Sequence, residues 1–161
     1  LGWEEHIVPL VAFWGKFFPN TRISQGDSTG YGESLLRGAH GEWTFNTDWK
    51  TLHSPDVTAG WIRAIDRAQR SLRDGKARIS VPILLMYSAR SVGGSEHWTP
   101  VYDTGDTVLD PADIRRYGCM LGPNVTCLKV NGGLHDLILS RPAVRNPLYR
   151  YIFHWLTLHN L

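Results

Sequence analysis

Two stretches of this chain carry side chains suited to proton transfer, and each follows an apolar, β-rich run. Beyond residues 79–86 comes a long loop holding Asp103, Asp106 and Asp110, and beyond 125–130 comes Asn131-Gly132-Gly133-Leu134-His135-Asp136. Open parallel sheets gather their reactive groups at the carboxyl ends of strands. A histidine in one such loop and an aspartate in the other could therefore form a pair in which a carboxylate orients an imidazole that moves a proton. A third feature, Gly26-Asp27-Ser28-Thr29-Gly30, has the G-x-S-x-G spacing of a nucleophile elbow, and Ser28, Asp106 and His135 stand in the chain order of such a triad. Spacing alone leaves open which aspartate would serve and whether His135 is more than a loop residue.

The elements that must position these groups are legible from periodicity. Residues 4–18 are apolar nearly all round (Ile7, Val8, Leu10, Val11, Phe13, Trp14, Phe17, Phe18) and stop at Pro19-Asn20, which predicts a helix with Pro9 near its first turns or at a kink. Residues 19–54 lose periodicity and gather Gly, Ser, Asn, His and Trp, so an irregular excursion is expected. Ser54-Pro55-Asp56 reads as a cap and first-turn proline for a helix whose face carries Val57, Trp61, Ile65, Ala68 and Leu72, ending at Gly75. The run 79–86 is expected to be a central parallel strand covered on both faces, with Pro82 near its start. A capped helix from Asp110-Pro111 to Gly122, a strand over 125–130, and a final helix from Asn146-Pro147 with Leu148, Tyr151, Ile152, Trp155 and Leu156 inward complete an α/β pattern with a parallel pair.

At this point the residues carry a family resemblance. Val81-Pro82-Ile83-Leu84-Leu85-Met86, Gly105-Asp106-Thr107-Val108-Leu109-Asp110 and Gly132-Gly133-Leu134-His135-Asp136, with Trp155-Leu156 in the last helix, resemble the end of an α/β-hydrolase of the monoacylglycerol lipase and serine aminopeptidase-like group. The resemblance implies the C-terminal portion of an α/β-hydrolase sheet with an inserted helical cap: residues 1–77 as cap and 78–161 as core segment. It makes Asp106 the acid and His135 the base of a serine-hydrolase triad. Asp110, which precedes Pro111, reads instead as a helix cap. The chain departs from the pattern between strand and acid, where Tyr87-Ser88-Ala89-Arg90-Ser91 stands in place of H-G-x-x-D and the loop is long.

Ser28 lacks the setting an elbow needs, a buried strand running into the turn and a helix leaving it. Asn20-Thr21-Arg22-Ile23-Ser24-Gln25 is polar, and Gly30 and Gly32 make a poor helix start. The nucleophile is thus expected upstream of Leu1, in a missing N-terminal half that would be the chain's main partner. Ser88, Ser91 and Ser140 are weaker candidates than Ser28. Two alternatives stay open: a self-contained hydrolase using Ser28, and a non-catalytic α/β binding module.

Composition narrows the partners further. Lys and Arg total 17 against 15 acidic residues, with no basic stripe, so nucleic acid is not expected. No apolar run reaches the roughly 18 residues that span a bilayer, and a cytosolic location is expected. Five of the seven tryptophans fall in the first 61 residues, an aromatic wall suited to an apolar or lipid-like acyl ester as small-molecule substrate. No cofactor is expected, and the seven histidines show no metal-binding spacing. The two cysteines, Cys119 and Cys127, read as buried free thiols.

Overall fold

A computed structural model describes residues 4–24, 29–53, 56–93 and 97–160, without the side chains of residues 4–6. In chain order the elements are helix α1 (Glu4–Trp14), strand β1 (Arg22–Ile23), helix α2 (Gly30–Leu35), strand β2 (Val57–Thr58), helix α3 (Ala59–Arg73), strand β3 (Ile83–Ser88), helix α4 (Pro111–Gly118), strand β4 (Val125–Val130) and helix α5 (Pro142–Leu158). Short 3-10 helices occupy Pro100–Thr104 and Leu137–Leu139. This is mixed α/β content with two small sheets. None of the helices described is long and apolar enough to cross a membrane.

The chain forms two compact units, residues 4–24 with 56–77 and residues 29–53 with 78–160. This differs from the division expected at 77/78, because residues 29–53 pack with the later part of the chain. Trp43 Nε1 donates to Leu139 O at 2.8 Å, Arg145 Nη1 meets Glu42 Oε2 at 3.0 Å, and Trp98 Nε1 donates to Ser34 Oγ at 2.9 Å.

In the first unit α1 packs on α3, and β1 pairs antiparallel with β2. The helix expected over 4–18 is regular to Trp14, keeps Pro9 inside it, and tightens into successive turns through Phe18. Ser54 and Pro55, the expected cap, lie outside the described residues. Helix α3 starts at Ala59, later than expected, with Thr58 Oγ1 accepting from Trp61 N at 3.2 Å. The apolar face read on this helix is not a buried one: Trp61 and Ile65 are exposed, while Ala59 and Asp66 are buried. Small residues set that geometry, since Ala59 O lies only 2.3 Å from where a Cβ on Gly15 would stand.

In the second unit β3 and β4 run parallel in register from Ile83 with Val125 to Ser88 with Val130. Helix α5 covers one face, where Val130, Leu137 and Leu148 form the core with Met86, Leu128, Val144 and Ile152 around them. Helix α4 covers the other, with Gly118 against Leu85. The strand expected over 79–86 begins only after Pro82, and Ile83, Leu84, Leu85 and Met86 are half-buried rather than enclosed, because β4 is its one strand partner among the described residues. Helix α4 starts where expected but ends at Gly118 rather than Gly122. Helix α5 starts at Pro142, so Asn146-Pro147 lies inside it and does not cap it, and Tyr151 is exposed although Leu148 and Trp155 are buried.

Two further expectations are corrected. The excursion over 19–54 contains α2, whose glycines cost intrinsic helix stability but permit close approach: a Cβ on Gly30 would stand 2.2 Å from the buried Tyr102 ring. The cysteines are exposed, not buried.

Candidate active site

The loop after β3 is folded back on the strand's own exit. Val92 N donates to Asp106 O at 2.8 Å and Asp106 N to Arg90 O at 2.9 Å, a short parallel bridge that returns Asp106 to the carboxyl end of β3. Its side chain is only 2% exposed. A buried carboxylate needs donors, and the loop supplies them: Oδ1 accepts from Val108 N and Leu109 N, both at 2.8 Å.

The loop after β4 is held just as tightly. Gly132 adopts φ 69°, a conformation that favours glycine, and turns the chain at the end of the strand. Ser88 Oγ, at the last position of β3, lies 2.8 Å from Gly133 O and 3.1 Å from Arg90 O, so one hydroxyl proton ties the two strand exits together. Ser140 Oγ accepts from Leu134 N at 2.9 Å. The result is an imidazole at a fixed position: His135 Nδ1 stands 3.1 Å from Asp106 Oδ2 and 3.2 Å from Oδ1, with the histidine side chain 28% exposed and the aspartate enclosed. Among the described residues Nε2 has no hydrogen-bond partner, and no serine, threonine or cysteine side chain is bonded to the ring. A hydrogen on Nδ1 directed at the carboxylate would leave the lone pair on Nε2, the tautomer required of a base.

The structure therefore brings Asp106 and His135 together and takes the competing acids elsewhere. Asp103 is bound by Arg141, and Asp110 Oδ1 caps α4 by accepting from Ala112 N at 2.8 Å. Ser88 and Ser140 are buried with their hydroxyls engaged by backbone, which removes them as nucleophiles. Ser91 belongs to the bridge with Asp106. Ser28 lies outside the described residues. A helix, α2, begins two residues after it, contrary to the sequence reading, whereas among the described residues the one strand before it is the two-residue β1, paired antiparallel with β2 and not with β3 or β4.

Tyr31, in α2, is a site residue that the sequence did not reveal. Its ring meets the His135 ring edge-on, with centroids 6.1 Å apart at 83°, and its hydroxyl donates to Asp136 Oδ2. Burial first, and then the bond to Asp136, push the phenol well above its ordinary pKa. No local pattern links residue 31 to residue 135, so no sequence signal could have found it.

No group of three or more His, Cys, Asp or Glu side chains among the described residues could hold a metal ion. A groove of about 300 Å³ runs between β4 and α5, lined by Leu128, Val130, Val144, Pro147, Leu148 and Tyr151 among others, and neither Asp106 nor His135 lines it. Compared with protein families, curated proteins and solved structures, the chain matches none of them.

Proposed function

We propose that this chain is the C-terminal portion of an α/β-hydrolase with an inserted helical cap, and that it supplies the acid Asp106 and the base His135 of a serine hydrolase acting on carboxylic esters with apolar acyl groups. The observation that carries the reading is the contact of an imidazole with an enclosed aspartate at the carboxyl ends of two parallel strands. Such a pair has a specific use: Asp106 fixes the ring with Nε2 unprotonated and stabilises the imidazolium formed when Nε2 takes a proton from a hydroxyl nucleophile. His135 then returns that proton to the departing alcohol. In this reading the nucleophilic serine and the oxyanion donors come from a segment preceding Leu1, so the 161-residue chain alone is inactive, since triad members act as a unit.

The experiment is hydrolysis of p-nitrophenyl acyl esters by the 161-residue chain and by the chain joined to its upstream segment. Turnover is expected only in the joined protein, with labelling of an upstream serine by a fluorophosphonate and a loss of at least about 10³-fold in kcat on His135→Ala. A second reading makes Ser28 the nucleophile, favoured by α2 starting two residues later and by the contact of Tyr31 with His135. Turnover by the 161-residue chain that Ser28→Ala abolishes selects it. A joined protein that is inert with both residues intact would leave a non-catalytic binding module.

A further inference from the structure

Cys119 is the C-terminal cap residue of α4, and Cys127 is the third residue of β4. In the parallel pair Cys127 is in register with Leu85, so the two side chains lie side by side on one face of the sheet. The end of α4 rests on that face: a Cβ on Gly118 would stand 2.5 Å from Leu85 Cδ2. The next residue, the helix cap Cys119, follows Gly118 at this end of α4, and its side chain interacts with that of Cys127. Both cysteines are exposed. The opposite face of the sheet belongs to α5, with Trp155 Nε1 donating to Thr126 Oγ1 at 3.0 Å, so nothing in that packing competes for the thiols.

We propose that Cys119 and Cys127 are a modification site, an oxidisable dithiol at which a peroxide closes an intrachain disulfide between the end of α4 and the middle of β4. The chemistry balances without any further reactant. The thiolate of one cysteine attacks the O–O bond of hydrogen peroxide, forming an S–O bond and expelling hydroxide, which leaves as water once protonated. The second sulfur then attacks that sulfenic sulfur; the S–S bond forms, the S–O bond breaks, and a second water departs. Two thiols and one peroxide become one disulfide and two waters. The Cys119 side chain beside it is the main influence raising the Cys127 thiol, which is what adjoining thiols do to one another, and Arg115, one turn earlier on α4, acts more weakly in the opposite direction. A raised thiol supplies less thiolate at neutral pH, so closure should quicken as the pH rises.

The chain has two cysteines in all, so an intrachain disulfide can have only one connectivity. The test treats the 161-residue chain with a small excess of hydrogen peroxide under non-denaturing conditions. Thiols reactive with a chromogenic disulfide reagent should fall together from two per chain to none, with the mass falling by two hydrogens. A protease digest should yield the peptides of Cys119 and Cys127 joined, and dithiothreitol should restore both thiols. Cys119→Ser and Cys127→Ser, conservative changes at exposed positions, should each abolish the cross-linked peptide and leave a thiol that oxidises to sulfinic acid. Independent sulfinic acids at both positions of the unsubstituted chain, or disulfides only between chains, would overturn the proposal. None of these readouts depends on ester hydrolysis.

Discussion

Replacing Asp106 by asparagine and by alanine should separate two jobs of one carboxylate. Oδ1 accepts from Val108 N and Leu109 N, while the carboxylate also faces His135 Nδ1. Asparagine keeps an oxygen for the two amides, so its stability cost should stay below about 1 kcal/mol, within the range of a conserved hydrogen bond. Alanine orphans both donors. At about 1–3 kcal/mol each, and taking the lower half of that range because water can reach the half-exposed Val108 and Leu109, the loss is about 2–4 kcal/mol. For a chain of this size that corresponds to a fall in Tm of roughly 4–16 °C. The imidazole responds differently. Asparagine can turn only its NH₂ toward Nδ1 once its oxygen faces the amides, so Nδ1 must accept and the ring proton must move to Nε2. In Asp106→Asn the ¹⁵N spectrum of His135, recorded at alkaline pH with the ring neutral, should therefore show the opposite tautomer from the unsubstituted chain. In a catalytically competent protein the same change should cost about 10⁴-fold in kcat. Equal losses of Tm for the two variants, or an unchanged tautomer in Asp106→Asn, would refute the assignment of these roles.

Other consequences follow from the shell around the pair. Ser140→Ala should leave the buried amide of Leu134 without an acceptor, a loss of about 1–3 kcal/mol visible as a Tm lower by roughly 2–12 °C; a shift under 1 °C would mean that water takes over the bond. Tyr31 has its phenol raised in the folded chain by burial and by Asp136, so the stability it contributes is complete below the free phenol's value of about 10 and declines as the pH rises toward the higher folded value. Urea titrations between pH 9 and 12 should accordingly show the unsubstituted chain losing stability faster than Tyr31→Phe above about pH 10, by up to about 1.4 kcal/mol per pH unit before solvent screening; parallel slopes would show that this phenol ionises normally.

How much of this was readable before the structure depends on how local the cause is. Asp110 as a cap and the strand over 125–130 rest on neighbouring residues, and both are found. The start of α5 was misplaced because Asn146-Pro147 and Arg141-Pro142 offer the same local signal, and the core contacts of Leu148 and Trp155 are compatible with either. Periodicity showed that α3 has an apolar face but not whether anything covers it, and Trp61 and Ile65 remain exposed. Helix α2 forms despite its glycines, and Gly30 permits the approach of Tyr102, a residue far along the chain that no local pattern links to it. The pairing of Asp106 with His135 is legible only through a rule about strand ends together with a resemblance; what separates the three aspartates in the structure is that Asp103 binds Arg141 and Asp110 caps α4.

The Ser88 hydroxyl that joins the two strand exits has a consequence for assembly. It reaches Gly133 only because Ser88 ends level with Val130. A slip of β3 by a single residue would present the bulky Tyr87 in its place and turn every side chain of the strand to the wrong side. The imidazole would then lose its seat although each strand remained intact. Alignment of the β3 and β4 ladder thus acts as a gauge of correct folding, and chains joined out of step would be recognisable by a histidine detached from its aspartate.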